Sequence, residues 1–480
     1  MSGRILLTIS ASLLVTVTTP LTAGAFDVFR TEGGIPPTAG GSIVPSPAFC
    51  QFGTPGNPLQ LHEAVERALC DNPKTRQAWA DVKAQAAAVG VARAAYLPNI
   101  TGNWQGVRDD SVTDVENHPN LSSASLSTIR TESVSLTWTL YDFGARSAAL
   151  ANAVALLEGA RATQDATLQT TFIDVTKDYY AAQAASGALT AARDVERMAN
   201  DSLMAAQVRV EKGMAPISDA LQAQTAHEQA EINVIKSEGT LQTALGTLAN
   251  DMDLLPNSPI VLPAVDTGTQ PDEAFSDSID DLIELTRRTH PSVLAAQSKL
   301  DAAESKVAQT RAEGLPTFSL VSKYSRNNQP ASLGLGITEF PATGREWYVG
   351  FQLSIPFFEG FGRIYQVRQA EAQVELQRET VNEARQQAAL DVWTAYQALR
   401  TSMDTLKKDA ALLDIAQRSF FVSQRRYKGG VGNILELLSA QTTLANAEQQ
   451  RIQGLTDWRA ARLHLAGSLG RLGFDDLSEH

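Results

Sequence analysis

Two hydrophobic periods alternate along this chain, and each is written twice. In SVSLTWTL (133–140) every second residue is apolar: Val134, Leu136, Trp138 and Leu140 share one face, with Ser133, Ser135, Thr137 and Thr139 on the other. Residues 347–355 repeat the alternation, with Trp347, Val349, Phe351, Leu353 and Ile355 opposite Tyr348, Gly350, Gln352 and Ser354. A period of two predicts strands with one buried or lipid-facing side. Elsewhere apolar or small residues recur every seven positions, at Leu168, Val175, Ala182 and Leu189 and at Val367, Val374, Val381, Ala388 and Ala395. That spacing predicts long helices packed as in a coiled coil. The seam is rich in alanine, so the helices can lie close side by side, as the staves of a cylinder rather than a solid bundle.

The repetition extends over the whole chain. The segment 61–104 resembles 279–324, with Pro73 matching Pro291 and Leu97-Pro98 matching Leu315-Pro316. Farther on, QVRVEKGMAPISDALQAQ (207–224) matches QRRYKGGVGNILELLSAQ (424–441), so that Arg209 aligns with Arg426 and Gly213 with Gly430. Each repeat predicts one order of elements. A helix of about 35 residues (60–95 and 278–313) ends at Leu-Pro, where proline forbids continuation. Two strands follow, 98–108 with 132–142 and 316–326 with 346–356. After Tyr141-Asp142-Phe143-Gly144, or Glu359-Gly360-Phe361-Gly362, comes a helix of about 66 residues, about 100 Å long. It breaks at Gly213 in the first repeat and at Gly429, Gly430 and Gly432 in the second. Interior glycines cost a helix up to about 1 kcal/mol each, so these mark intended turns. A final helix of about 35 residues returns.

The domain plan is therefore repeat one at 59–249, a linker at 250–277, repeat two at 278–470 and a tail at 471–480. Residues 26–58 are rich in Gly and Pro and read as an extended arm. Residues 1–25 pair Arg4 with an apolar run closing on Ala23-Gly24-Ala25, the form of a secretory signal peptide. Beyond them no apolar run reaches the roughly 18 residues of a spanning helix. Insertion into a membrane must then use a β-barrel. Four strands fall short of the roughly eight that close one, so the barrel has to be shared between chains.

Export also bears on Cys50 and Cys70, close in sequence, for which a disulfide is the leading reading and two buried thiols the alternative. The net charge of −13 and the absence of a basic stripe exclude nucleic acid as a partner. No enzyme, metal or cofactor is indicated. His62, His118, His227, His290, His464 and His480 are scattered, and no metal-protease, phosphate-loop or nucleophile-elbow motif occurs. The acidic stretch 108–120 reads as a solvated loop between strands, with a cation site as the weaker alternative.

The duplication, the Leu-Pro strand starts, the Tyr-Asp-Phe-Gly exit and the paired turns ending in Ala-Gln resemble the TolC-like outer-membrane efflux proteins over nearly all of the mature chain. LCDNPKTRQAW with its nearby cysteines is most similar to the branch serving type I secretion of cyclolysin. The resemblance implies a homotrimer: a 12-stranded β-barrel in outer-membrane lipid, and an α-barrel tunnel across the periplasm. It implies a passive exit duct for protein toxin or small molecules, with a periplasmic adaptor and an inner-membrane ABC or proton-driven transporter as partners. The glycine turns become the periplasmic tips where the adaptor docks. A gate is implied there, with Tyr427 bonded to Asp219, Ser218 beside it, and Glu436 in an acidic ring. Plain capping remains the alternative, for Glu436 follows Asn433 by three residues and Asp219 suits a first turn. Gly432 and Ser439 depart from the family, replacing a turn arginine and a second ring aspartate. A periplasmic adaptor, the main competing function, would carry one helical hairpin in a sheet domain and no duplicated strand pairs. A structural coiled-coil protein would have no strands.

Overall fold

The computed structural model describes residues 27–41, 50–265, 278–331 and 340–470. The expected leader, the tail at 471–480 and the second half of the linker lie outside them. Repeat one consists of α1 (Leu61–Asp71), α2 (Pro73–Ala94), β1 (Asn99–Thr113), β2 (Ser123–Tyr141), α3 (Ala145–Glu211) and α4 (Ile217–Asp251). Repeat two follows with α5 (Ile279–Thr289), α6 (Pro291–Ala312), β3 (Thr317–Asn327), β4 (Gly344–Ser354), α7 (Gly362–Lys428) and α8 (Ile434–Ser468). The long helices α3 and α7 have 67 residues each and the return helices 35 each. Among the described residues no helix is long and apolar enough to cross a membrane.

Two expectations are corrected. The first helix of each repeat is two helices, broken at Asn72-Pro73 and at His290-Pro291. Proline forces the preceding residue out of the helical region, and Asn72 sits at φ −57°, ψ 131°. Each break is capped: Asn72 Oδ1 accepts from the Lys74 amide at 2.9 Å, and His290 Nδ1 from Ser292 at 3.3 Å. Proline at the first helical position is compatible with restarting, so one residue pattern ends one helix and begins the next. The first strand pair is also longer than expected. Its register continues from Asn99↔Thr137 to Thr113↔Ser123, so Arg108 to Thr113 are strand, and only 114–122 connect. Backbone pairing persists there although the side chains have turned polar.

The four strands form one antiparallel sheet in the order β1-β2-β3-β4, with β2 of the first repeat against β3 of the second. Directly opposed residues share a face. One face thus collects Ile100, Val134, Leu136, Trp138, Leu320, Tyr324, Trp347, Val349, Phe351 and Leu353. The other carries Thr101, Ser133, Ser135, Lys323, Ser325 and Gln352, with the Thr101 and Ser135 hydroxyls 2.7 Å apart.

The helices make a wall. Near the sheet α2 and α6 flank α3, and α7 packs beside α6; toward the tips the order is α4, α3, α8, α7. Leu168, Val175, Ala182 and Leu189 are all buried in α3, as are Val381, Ala388 and Ala395 in α7. The outermost helices leave Leu221 and Ile235 of α4 and Leu376 and Leu390 of α7 exposed. Residues 50–59 lie on α1: Cys50 and Cys70 form a disulfide with Cα atoms 5.6 Å apart, Arg67 donates to the Gly53 carbonyl at 3.0 Å, and the Tyr179 hydroxyl donates to that of Leu59 at 3.0 Å.

Where α4 ends against α3, three carboxylates meet. The Asp251 carboxyl is pushed up to about 7 from an ordinary 3.8, first by burial, then by Asp178 and Asp174, with Lys74 opposing. Folding therefore takes up a proton above the ordinary value, so this group's stability is fully present below about pH 4 and lost as pH rises through about 7. Thermal unfolding of the detergent-solubilised protein should show Asp251→Asn raising the midpoint at about pH 8 and leaving it unchanged near pH 4. An equal effect at both would contradict the assignment.

Candidate functional site

Each tip is a helix end built on glycine. After α3, Gly213 takes φ +67°, its amide donates to the Val210 carbonyl at 2.9 Å, and the Met214 amide donates to Arg209 at 2.8 Å. After α7, Gly429 is the cap in right-handed geometry and Gly430 takes φ +79°. The Gly430 amide donates to Tyr427 at 3.1 Å and the Val431 amide to Arg426 at 3.0 Å. This is one closing pattern used twice, in which a left-handed residue satisfies the last carbonyls. Gly432 is needed for another reason. A Cβ there would lie 2.9 Å from the Tyr427 nitrogen and 3.0 Å from the Arg426 carbonyl carbon. The turn arginine that the family resemblance suggests has no room in this turn.

Between the tips, Tyr427 is 1% exposed, packed with Ala206, Phe420, Ile434 and Leu437. Its phenol is raised above its usual value by burial and then by the Asp219 carboxylate, with Arg209 opposing. The hydrogen bond expected from Tyr427 to Asp219 is not formed: the hydroxyl has no partner. Arg209 makes the connection instead. Its Nη1 donates to the Tyr427 carbonyl at 2.7 Å, and its guanidinium lies 4.6 Å from the ring centroid. Asp219 is half-buried and Ser218 exposed in the first turn of α4.

The repeats use equivalent positions differently. Arg209 and Asp219 of repeat one correspond to Arg426 and Glu436 of repeat two. Arg426 turns to its own hairpin and meets Glu436 at 3.2 Å, both exposed. Asn433 caps α8 by accepting from the Leu435 amide at 3.0 Å. Arg209 was missed in the sequence; its alignment with Arg426 is visible there, but nothing in the pattern says that one arginine crosses between hairpins.

The second site is the sheet's apolar face. Trp347 is 73% and Phe351 68% exposed, and Val134, Trp138, Leu140, Val349 and Leu353 are exposed with them, while Leu136 is half-buried. At the helix end of the sheet Tyr141, Phe143, Phe357, Phe358 and Phe361 are exposed as well. A belt of aromatic residues below an apolar band is the form of a barrel wall in lipid.

The profile of the family described as outer membrane efflux protein matches residues 64–251 and 282–471. The chain belongs to that family. It is similar to Protein CyaE of Bordetella pertussis, 32% identical over 425 residues, covering 86% of this chain and 85% of that one. It is similar to outer membrane protein TolC of Escherichia coli, 22% identical over 431 residues, covering 87% and 83%. The crystal structure of a membrane protein from Pseudomonas aeruginosa superposes with a TM-score of 0.72 at 22% identity, covering 87% of this chain and 99% of that one. An outer membrane efflux protein is an exit duct of the Gram-negative outer membrane. The adaptor alternative is not favoured, since the match runs through both repeats.

A buried hydroxyl without a partner costs about 1–3 kcal/mol. Tyr427→Phe should therefore leave the thermal midpoint unchanged or raise it, and Arg209→Ala should lower it. A midpoint lowered by Tyr427→Phe would show that the hydroxyl is bonded.

Proposed function

We propose that three copies of this chain form one passive duct, with a shared 12-stranded barrel in the outer membrane and a helical tunnel below it. The carrying observation is the four-stranded sheet with its apolar face exposed and both edge strands, β1 and β4, paired on one side only. Unpaired backbone groups in lipid cost several kcal/mol each, and pairing β1 of one chain with β4 of the next removes them. The exposed apolar residues of α4 and α7 meet in the same closure, so the wall becomes a cylinder.

The glycine turns at Gly213 and Gly429 to Gly432 are then the periplasmic tips, where an adaptor docks. An inner-membrane ABC or proton-driven transporter supplies the energy. The tips also form the gate. Arg209 holds the two hairpins together through Tyr427, and Asp219 and Ser218 stand at the joint. Glu436 contributes to an acidic mouth, its charge partly offset by Arg426. The branch resemblance favours type I secretion of a polypeptide over small-molecule efflux.

Detergent-solubilised protein should have three times the mass of the mature chain and conduct in planar bilayers. A stable, conducting monomer would overturn the trimer. Arg209→Ala should raise the conductance of the trimer, and an unchanged value would remove Arg209 from the gate.

A further inference from the structure

About three to four turns above the first tip, α3 and α4 face each other through three side chains with metal-ligand chemistry. Glu196 comes from α3, and His227 and Glu231 come from α4, one turn apart on the same face. His227 Nε2 is 3.1 Å from Glu196 Oε1 and 3.9 Å from Glu231 Oε1. All three ligand atoms lie within 4.8 Å of one another. In a tetrahedral site with ligands at about 2.0–2.1 Å, neighbouring ligand atoms are about 3.3 Å apart. The trio thus needs only small side-chain rotations to enclose an ion, and a fourth position stays open to water. The His227 side chain is 16% exposed and Glu231 51% exposed, so the histidine is seated between the helices with a path to solvent.

The duplication provides an internal control. The residues of repeat two equivalent to Glu196 and His227 are Leu413 and Leu444. Leu444 is buried in the cluster around Tyr427, and Leu413 packs against the same cluster. The backbone therefore accommodates two leucines at this level of a hairpin. Repeat one instead places a carboxylate and an imidazole there, in contact, while the second carboxylate, Glu231, has its equivalent in Glu448 of repeat two.

We propose that Glu196, His227 and Glu231 form a binding site for a divalent transition-metal ion of the zinc class, which bridges α3 to α4. One imidazole with two carboxylates suits Zn²⁺, Co²⁺ or Ni²⁺ better than Ca²⁺ or Mg²⁺, which take oxygen ligands alone. The bound ion staples the hairpin that ends in Gly213, and so restrains the helix that carries Asp219. Since the equivalent hairpin of repeat two keeps only one of the three ligands, Glu448, with leucines at the other two positions, only one of the two tips is restrained.

The test uses the full mature chain in detergent, stripped with a chelator and then dialysed against Zn²⁺. Metal analysis should find saturable uptake reaching one equivalent per chain, and Zn²⁺ should raise the thermal midpoint. Glu196→Leu combined with His227→Leu installs the residues that repeat two already carries, so it should fold, lose one equivalent and lose the Zn²⁺-dependent rise. His227→Gln, which keeps the polarity and approximate volume, should lose both as well. Co²⁺ bound to wild type should give the visible absorption of a tetrahedral or five-coordinate centre, absent from either variant. Uptake that does not saturate, or an equivalent that survives in both variants, would overturn the proposal.

Discussion

Backbone hydrogen bonding in a medium without water is the constraint on which this architecture rests. Among the described residues the four-stranded sheet leaves β1 and β4 each with one unpaired side, and in hydrocarbon those groups find no solvent to replace the missing strand. The sheet also carries an uncovered apolar face, with Trp347 and Phe351 among its most exposed residues. In water both features would invite aggregation. In the assembly we propose they are the two conditions for closure: lipid covers the face, and neighbouring chains cover the edges. The helical wall poses the same problem in a milder form, because α4 and α7 keep apolar residues exposed at its margins.

Duplication lets one chain meet that constraint with one plan used twice. The plan is strict where geometry is shared: α3 and α7 have equal lengths, and both end in the same left-handed glycine closure. It relaxes where two copies must fit each other. The two equivalent tip arginines take different partners, Arg209 crossing to Tyr427 and Arg426 staying with Glu436. The two hairpins of each chain thus differ in side-chain contacts although their turns close alike.

Much of this was legible in the sequence because periodicity survives without coordinates. The period-two faces, the heptad seams, the long helices and the glycine turns follow from spacing alone, and the length of the return helices follows from the repeat. The breaks at Asn72-Pro73 and His290-Pro291 were less visible, since proline is tolerated in a first helical turn and only cap geometry distinguishes a restart from a continuation. The extension of β1 to Thr113 was hidden by its polar side chains, which carry no lipid-facing signal although the ladder continues. At the tips, the family resemblance pointed to Tyr427, Asp219 and Glu436, but a resemblance does not contain rotamers. The partner of Arg209 and the unpaired Tyr427 hydroxyl depend on side-chain packing between hairpins about 218 residues apart, which no local pattern encodes.

The central claim is that the β1 edge of one chain pairs with the β4 edge of another. Disulfide cross-linking across that seam tests it most directly. A single cysteine at Asn103 in β1, combined in turn with Tyr348→Cys, Gly350→Cys or Gln352→Cys in β4, samples the possible registers on the polar face. The account predicts covalent trimers on non-reducing gels for one register, with weaker products for its neighbours. Chains that remain monomeric for every pair, with the cysteines open to a water-soluble maleimide, would contradict it.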